Sequence, residues 1–192
     1  VESIGFMDAS TIVISSVHVL LLQLLDIRNS FQFDSQNSYI LTNNNQFIDI
    51  SIDNSSVNKG IDIKIMNQNH TIGNLLRHYL VTSFVEIENP DKLKYAGYKK
   101  NHPTIEEINI LLYIQDSLEI DNIRSFNSKN LKFKIPENID IYQNITIYCS
   151  VIFMKAINLA IKDIEKFIEL FSDLFEKQGP VFTIKDDLDE YK

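Results

Sequence analysis

Asn69-His70-Thr71-Ile72-Gly73-Asn74-Leu75-Leu76-Arg77 is the stretch from which the fold of this 192-residue chain is read. An Asn, Ser or Thr ahead of an apolar-periodic run marks a helix start, because its side-chain oxygen can accept from first-turn N–H groups that lack partners. Asn69 or Thr71 fills that place, and Leu75, Leu76, Tyr79 and Leu80 supply the apolar positions. Asn89-Pro90 ends the helix, since proline disfavours helical geometry in the residue before it. Upstream, Ile61, Ile63 and Ile65 alternate with Asp62 and Lys64, and Ile48, Ile50 and Ile52 alternate with Asp49, Ser51 and Asp53. Two period-two runs around the turn-rich stretch Asn54–Gly60 read as a β-hairpin. Downstream, Leu93–Lys99 and Ile105–Gln115 read as strands joined by a loop containing Asn101-His102-Pro103. Hairpin, helix and two further strands predict an α+β fold, a small antiparallel sheet packed by a short helix.

Farther out, Met154, Ile157, Ile161, Ile164, Ile168, Phe171 and Phe175 are spaced alternately by three and four. That is an a/d stripe on one long helix over about 148–178, stopped by Gly179-Pro180. Burying these side chains is worth roughly 10–20 kcal/mol gross at ~1.5–3 each, an upper bound. Periodicity alone fits a core helix and a dimer seam equally. Near the start, Asp8 or Ser10 heads a helix running to about Arg28. Its stretch Ile12–Leu25 is apolar on most sides and therefore needs neighbours. Too short to span a bilayer and interrupted by Ser15, Ser16, His18 and Gln23, it predicts no membrane contact. Phe31–Asn45 reads as a linker and 179–192 as an acidic tail. Residues 116–143 are mostly polar, with Leu131, Phe133 and Ile135 suggesting a short strand.

Composition narrows the function. With 44% hydrophobic residues, 12 Phe and 8 Tyr, the chain can bury a core. A net charge of −8 argues against a free-standing nucleic-acid grip. Lys92, Lys94, Lys99 and Lys100 interleave with Tyr95 and Tyr98, and strand alternation predicts lysines in solvent and aromatics in the core. Cys149 is the one cysteine, in an apolar run, and reads as a small buried hydrophobe. The four His lack metal-ligand spacing: His70 and His78 stand about 12 Å apart along a helix. There is neither a Gly-rich phosphate loop nor a nucleophile elbow, so no catalytic residue, cofactor or metal is assigned. Ile occurs 30 times and Asn 19 times against 4 Ala, a skew of the kind AT-rich coding produces.

Together, Ile63-x-Ile65, His70-Thr71-Ile72-Gly73-Asn74-Leu75-Leu76-Arg77, Tyr95-Ala96-Gly97-Tyr98-Lys99 and His102-Pro103 resemble the small, archaeal L-type alpha-like subunit of multisubunit RNA polymerases. Ile72 stands where the family has Leu, and Lys100-Asn101 where it has Val-Pro. Val1-Glu2-Ser3-Ile4-Gly5 and the helix after it resemble the end of the larger, D-type partner. The resemblance implies 1–30 as the tail of the larger half, 31–45 as a linker and 46–178 as a small dimerisation domain with an atypical insertion at 116–143. It is similar to fused forms of large DNA viruses, implying a viral factory and virion, or otherwise the nucleus.

The implied function is assembly: an alpha-like pair onto which the two largest polymerase subunits build. Magnesium would belong to the largest subunit, and neither nucleic acid nor membrane would touch this chain. The implied interface comprises His70, Thr71, Gly73, Asn74, Leu75, Leu76 and Arg77 with Met154, Ile157, Ile161, Ile164, Ile168, Phe171 and Phe175. Ala96, Gly97, Tyr98, His102 and Pro103 form the family's turn motif. The helix at 12–25 would supply partner surface in cis. A bulky residue at Gly73 would then obstruct a close helix contact and abolish complex formation.

Overall fold

Alternation of Ile with Asp, Ser and Lys does what period-two patterning dictates. The computed structural model describes residues 7–31, 47–53, 59–86, 92–131 and 139–176. It contains strands β1 (Ile48–Asp53), β2 (Gly60–Met66), β3 (Leu93–Lys99) and β4 (Glu107–Ile114), in an antiparallel sheet ordered β1-β2-β4-β3. Ile63 pairs with Ile50 on one side and Ile110 on the other, and Ile65 with Ile48 and Ile108. One face is therefore a slab of isoleucine, and the central pairs are fully buried.

Helices α1 (Ala9–Asn29), α2 (His70–Phe84), α3 (Ile120–Asn130) and α4 (Ile141–Glu176) complete the described fold. α2 and α4 cover the isoleucine face, while α1 and α3 lie against α4. The Phe31 ring, at the end of α1, packs 5.2 Å from that of Phe153. The opposite sheet face is polar: Lys64 pairs with Glu107 at 2.8 Å, and Asp62 receives Lys99 at 3.3 Å and the Asn109 amide at 2.7 Å.

The structure departs from expectation in four places. α3 occupies part of the polar region 116–143, which the sequence left open apart from a suggested short strand; only Ile123, Phe126 and Asn127 on it are buried, too few to show a period. The suggested strand at Phe133 and Ile135 lies outside the described residues, as do Val1–Gly5, most of the linker and the acidic tail. α4 begins seven residues before the expected 148, at Ile141. Asn144 and Thr146 break the apolar pattern there yet are buried, because Asn144 Nδ2 donates to the carbonyls of Ile139 (3.2 Å) and Asp140 (3.1 Å).

Tyr95 is the third departure. A register shift between Leu93 and Tyr95 turns it onto the polar face, where it is 47% exposed and stacks on Tyr113 at 5.7 Å. Lys94 reaches solvent as expected and pairs with Asp116 at 2.7 Å. The fourth concerns length: α1 and Ile141–Leu174 are each long and apolar enough to cross a bilayer. The latter is 78% buried over its most apolar window, but α1 only 17%. α1 buries Leu21, Leu24 and Ile27 and exposes Val19 and Leu22, so its neighbours cover one stripe rather than the whole helix.

Candidate partner-binding site

Two sequence motifs meet at the head of α2. Asn69 caps it, Oδ1 accepting from the Thr71 N–H at 2.9 Å. Gly73, one turn in, is buried beneath the Tyr98 ring of β3: a Cβ there would lie 2.5 Å from Cδ2 and 2.7 Å from Cε2. The Tyr98 hydroxyl sits 3.2 Å from His70 Nδ1. The close approach at Gly73 is thus helix to sheet within this chain, not helix to helix, which corrects the expected reason for that glycine. Leu76 is fully buried in the same core, Leu75 half-buried, and His70, Thr71, Asn74 and Arg77 are exposed. Ala96 and Gly97 are buried in β3. His102 and Pro103 form an exposed turn in which His102 Nδ1 accepts from the Thr104 N–H at 3.3 Å and lies 2.8 Å from its hydroxyl.

The long stripe divides between two environments. Ile157 and Ile161 are spent on the chain's own core, and Met154 is half-buried against it. Past Lys162 the burial stops: Ile164, Ile168 and Phe171 are half-buried, and Phe167, Leu170 and Leu174 are 44%, 55% and 59% exposed. Phe175 lies on the helix, its side chain outside the described residues. At 100° per residue these apolar positions cover an arc of about 160°. The Phe167 and Phe171 rings stack at 5.4 Å. Tyr79 of α2 donates to Asp163 Oδ2 at 3.1 Å, anchoring the point where α4 leaves the core. Burial, then the Asp163 carboxylate, pushes the Tyr79 hydroxyl pKa up.

Elsewhere the chemistry is quiet. Among the described residues no group of three His, Cys, Asp or Glu could hold a metal ion. Cys149 is buried as expected, and desolvation drives its thiol pKa far up, against thiolate chemistry. Tyr113 donates to Asp53 at 2.9 Å; burial and that carboxylate push its pKa up to about 12.

An Ile-rich hairpin feeding an Asn-capped helix whose glycine sits under a tyrosine of the third strand is a specific arrangement, and most of it falls in a stretch that matches a known family. Residues 60–124 match the RNA polymerase Rpb3/Rpb11 dimerisation domain. No curated protein matches the chain. The Rpb3/Rpb11-type domain runs from β2 to the first turn of α3 and belongs to non-catalytic RNA polymerase subunits. A dimerisation domain of this type implies a partner subunit of the same type.

Sequence reasoning found the a/d stripe but missed Phe167, Leu170 and Leu174, which lie beside it. The signal was available: Phe167, Leu170 and Leu174 repeat by three and four on their own. A seam narrower than the apolar arc was assumed, whereas a helix that packs on its own core along one edge and remains open along the other is apolar over both.

Proposed function

We propose that this chain is a non-catalytic assembly component of a DNA-directed RNA polymerase, pairing with another alpha-like half to form the platform for the two largest subunits. The observation that carries the reading is the exposed apolar half of α4 leaving an Rpb3/Rpb11-type dimerisation domain. Monomeric proteins rarely leave contiguous apolar surface uncovered, and its usual cause is a partner. In this reading α1 is the last helix of a larger, D-type half, fused in the manner of large DNA viruses, and its packing on α4 in cis supports that. In the same reading Arg77, exposed on α2, is the residue to test for contact with a large subunit. Catalytic magnesium and the nucleic acid belong to those largest chains, in a viral factory and virion or in a nucleus.

Affinity capture of the tagged chain from its native source, with mass spectrometry of the captured proteins, tests the reading. Two very large chains at equal stoichiometry are expected. Recovery of the chain alone, or of its homodimer, would overturn the polymerase role in favour of a stand-alone dimerisation module.

A further inference from the structure

We propose that the outer edge of β1 takes an extended segment of another protein chain as a fifth strand, with basic residues on its water-facing side. β1 and β3 are the two outer strands of the sheet. The Met66 N–H donates to the Phe47 carbonyl at 2.8 Å, and the Ile114 N–H to that of Lys59 at 2.9 Å. With the unbroken register from Ile48↔Ile65 to Asp53↔Gly60, the bonds from β1 to β2 therefore come from Asp49, Ser51 and Asp53. The N–H and C=O groups of Ile48, Ile50 and Ile52 point the other way, off the sheet. Among the described residues no backbone bond reaches them. The opposite edge carries the devices that keep strands from pairing, a register shift between Leu93 and Tyr95 and two lysines, Lys94 and Lys99. β1 has neither bulge, proline nor lysine. It is a regular template about 20 Å long.

The side chains of β1 determine what that segment carries. On the isoleucine face α2 and α4 pack on β2, β3 and β4, and β1 lies at the margin of their cover. Ile50 is half-buried there and Ile52 is 39% exposed, so every second residue of an added strand meets isoleucine. On the water face β1 presents Asp49, Ser51 and Asp53 and no cation. Asp53 accepts from Tyr113, whereas Asp49 is exposed, and Lys64 opposite it pairs with Glu107 at 2.8 Å. A lysine or arginine of the segment beside Asp49 completes a cross-strand ion pair. A second copy's β1 fits less well, because pairing two such edges gathers four carboxylates on one face. Strand addition draws its affinity from main-chain bonds and its selectivity from alternate side chains, so the segment alternates apolar with basic residues.

The inference rests on the assembly reading for the existence of further chains, and the test separates the two. Amide exchange is read residue by residue on the isolated chain and on the complex captured with it. In the isolated chain the amides of Asp49 and Ser51 are expected to exchange slowly and those of Ile50 and Ile52 fast; in the complex all four are slow. Ile52→Pro removes one outward N–H and leaves the bonds between β1 and β2 whole, a change that edge strands tolerate. It is expected to weaken retention of one captured chain by about tenfold or more, with the alpha-like half on α4 still bound and the melting temperature little changed. Asp49→Lys, at an exposed position, is expected to weaken retention of that same chain. Slow Ile50 and Ile52 amides in the isolated chain overturn the inference, since a segment of the chain itself or a second copy then holds the edge. Unchanged retention in both variants overturns it as well. Large subunits captured with Ile50 and Ile52 still exchanging fast sink the edge alone; capture of no partner sinks both.

Discussion

Replacing Leu170 and Leu174 together with Glu is expected to abolish capture of the partner while leaving the chain's own unfolding transition in place. Both side chains are more than half exposed and contribute little to the chain's own core, so their loss from it is worth within about 0.5 kcal/mol. Two carboxylates four residues apart add roughly 0.2–0.5 kcal/mol of helix destabilisation. At an apolar seam the same change is severe. Central apolar contacts cost about 2 kcal/mol or more each when removed, and burying two charges adds desolvation, so a loss of several hundred-fold in Kd is a lower estimate. Ile52→Glu is the control, since Ile52 is also an exposed large apolar residue but sits on the edge strand β1 rather than on α4. It is expected to leave capture intact. Urea unfolding of each variant beside the capture assay separates a lost seam from a lost fold.

Gly60→Ala is expected to have the largest effect on stability. Gly60 opens β2, opposite Tyr113 of β4 and Asp53 of β1, and is buried between them. A Cβ there would collide with the Leu112 carbonyl oxygen and lie 2.8 Å from Tyr113 Cδ1. A backbone carbonyl in the central ladder cannot swing aside without breaking the pairing of β2 with β4. Overpacking of this kind costs about 1–3 kcal/mol and occasionally more, and here the upper end applies. At about 2–4 °C per kcal/mol for a chain of this size, the melting temperature falls by roughly 6–12 °C. Gly73→Ala is milder, because the obstacle is the half-buried Tyr98 ring, which can turn outward and give up its contact with His70. Thermal unfolding of the two variants side by side checks the order; equal melting temperatures contradict it.

How much was legible follows from where burial is one-sided. Ile48 to Ile52 and Ile61 to Ile65 alternate because one sheet face is core and the other is water, so the hairpin could be read directly. Leu93–Lys99 was read with the observed limits for the same reason, yet its facing was misjudged, since a register shift leaves no mark in residue types. α3 and the first turn of α4 were invisible because their contacts to the core are partly amide hydrogen bonds, Asn127 to the Asn144 carbonyl and the Asn144 amide to Ile139 and Asp140. Buried asparagines look like a loop in sequence. The Gly73 motif was legible as a unit but not as a mechanism: its partner, Tyr98, is 25 residues away and was quoted separately.

The central claim is that the open half of α4 is the surface on which the partner lies. Amide hydrogen exchange of the isolated chain compared with the captured complex tests it most directly. Uncovered helix ends open at low free energy, whereas amides under an interface exchange slowly. The account predicts that residues 162–174 gain strong protection on assembly, while 144–153, already buried, change little. Protection confined to the polar sheet face, with 162–174 exchanging as fast in the complex as alone, contradicts it.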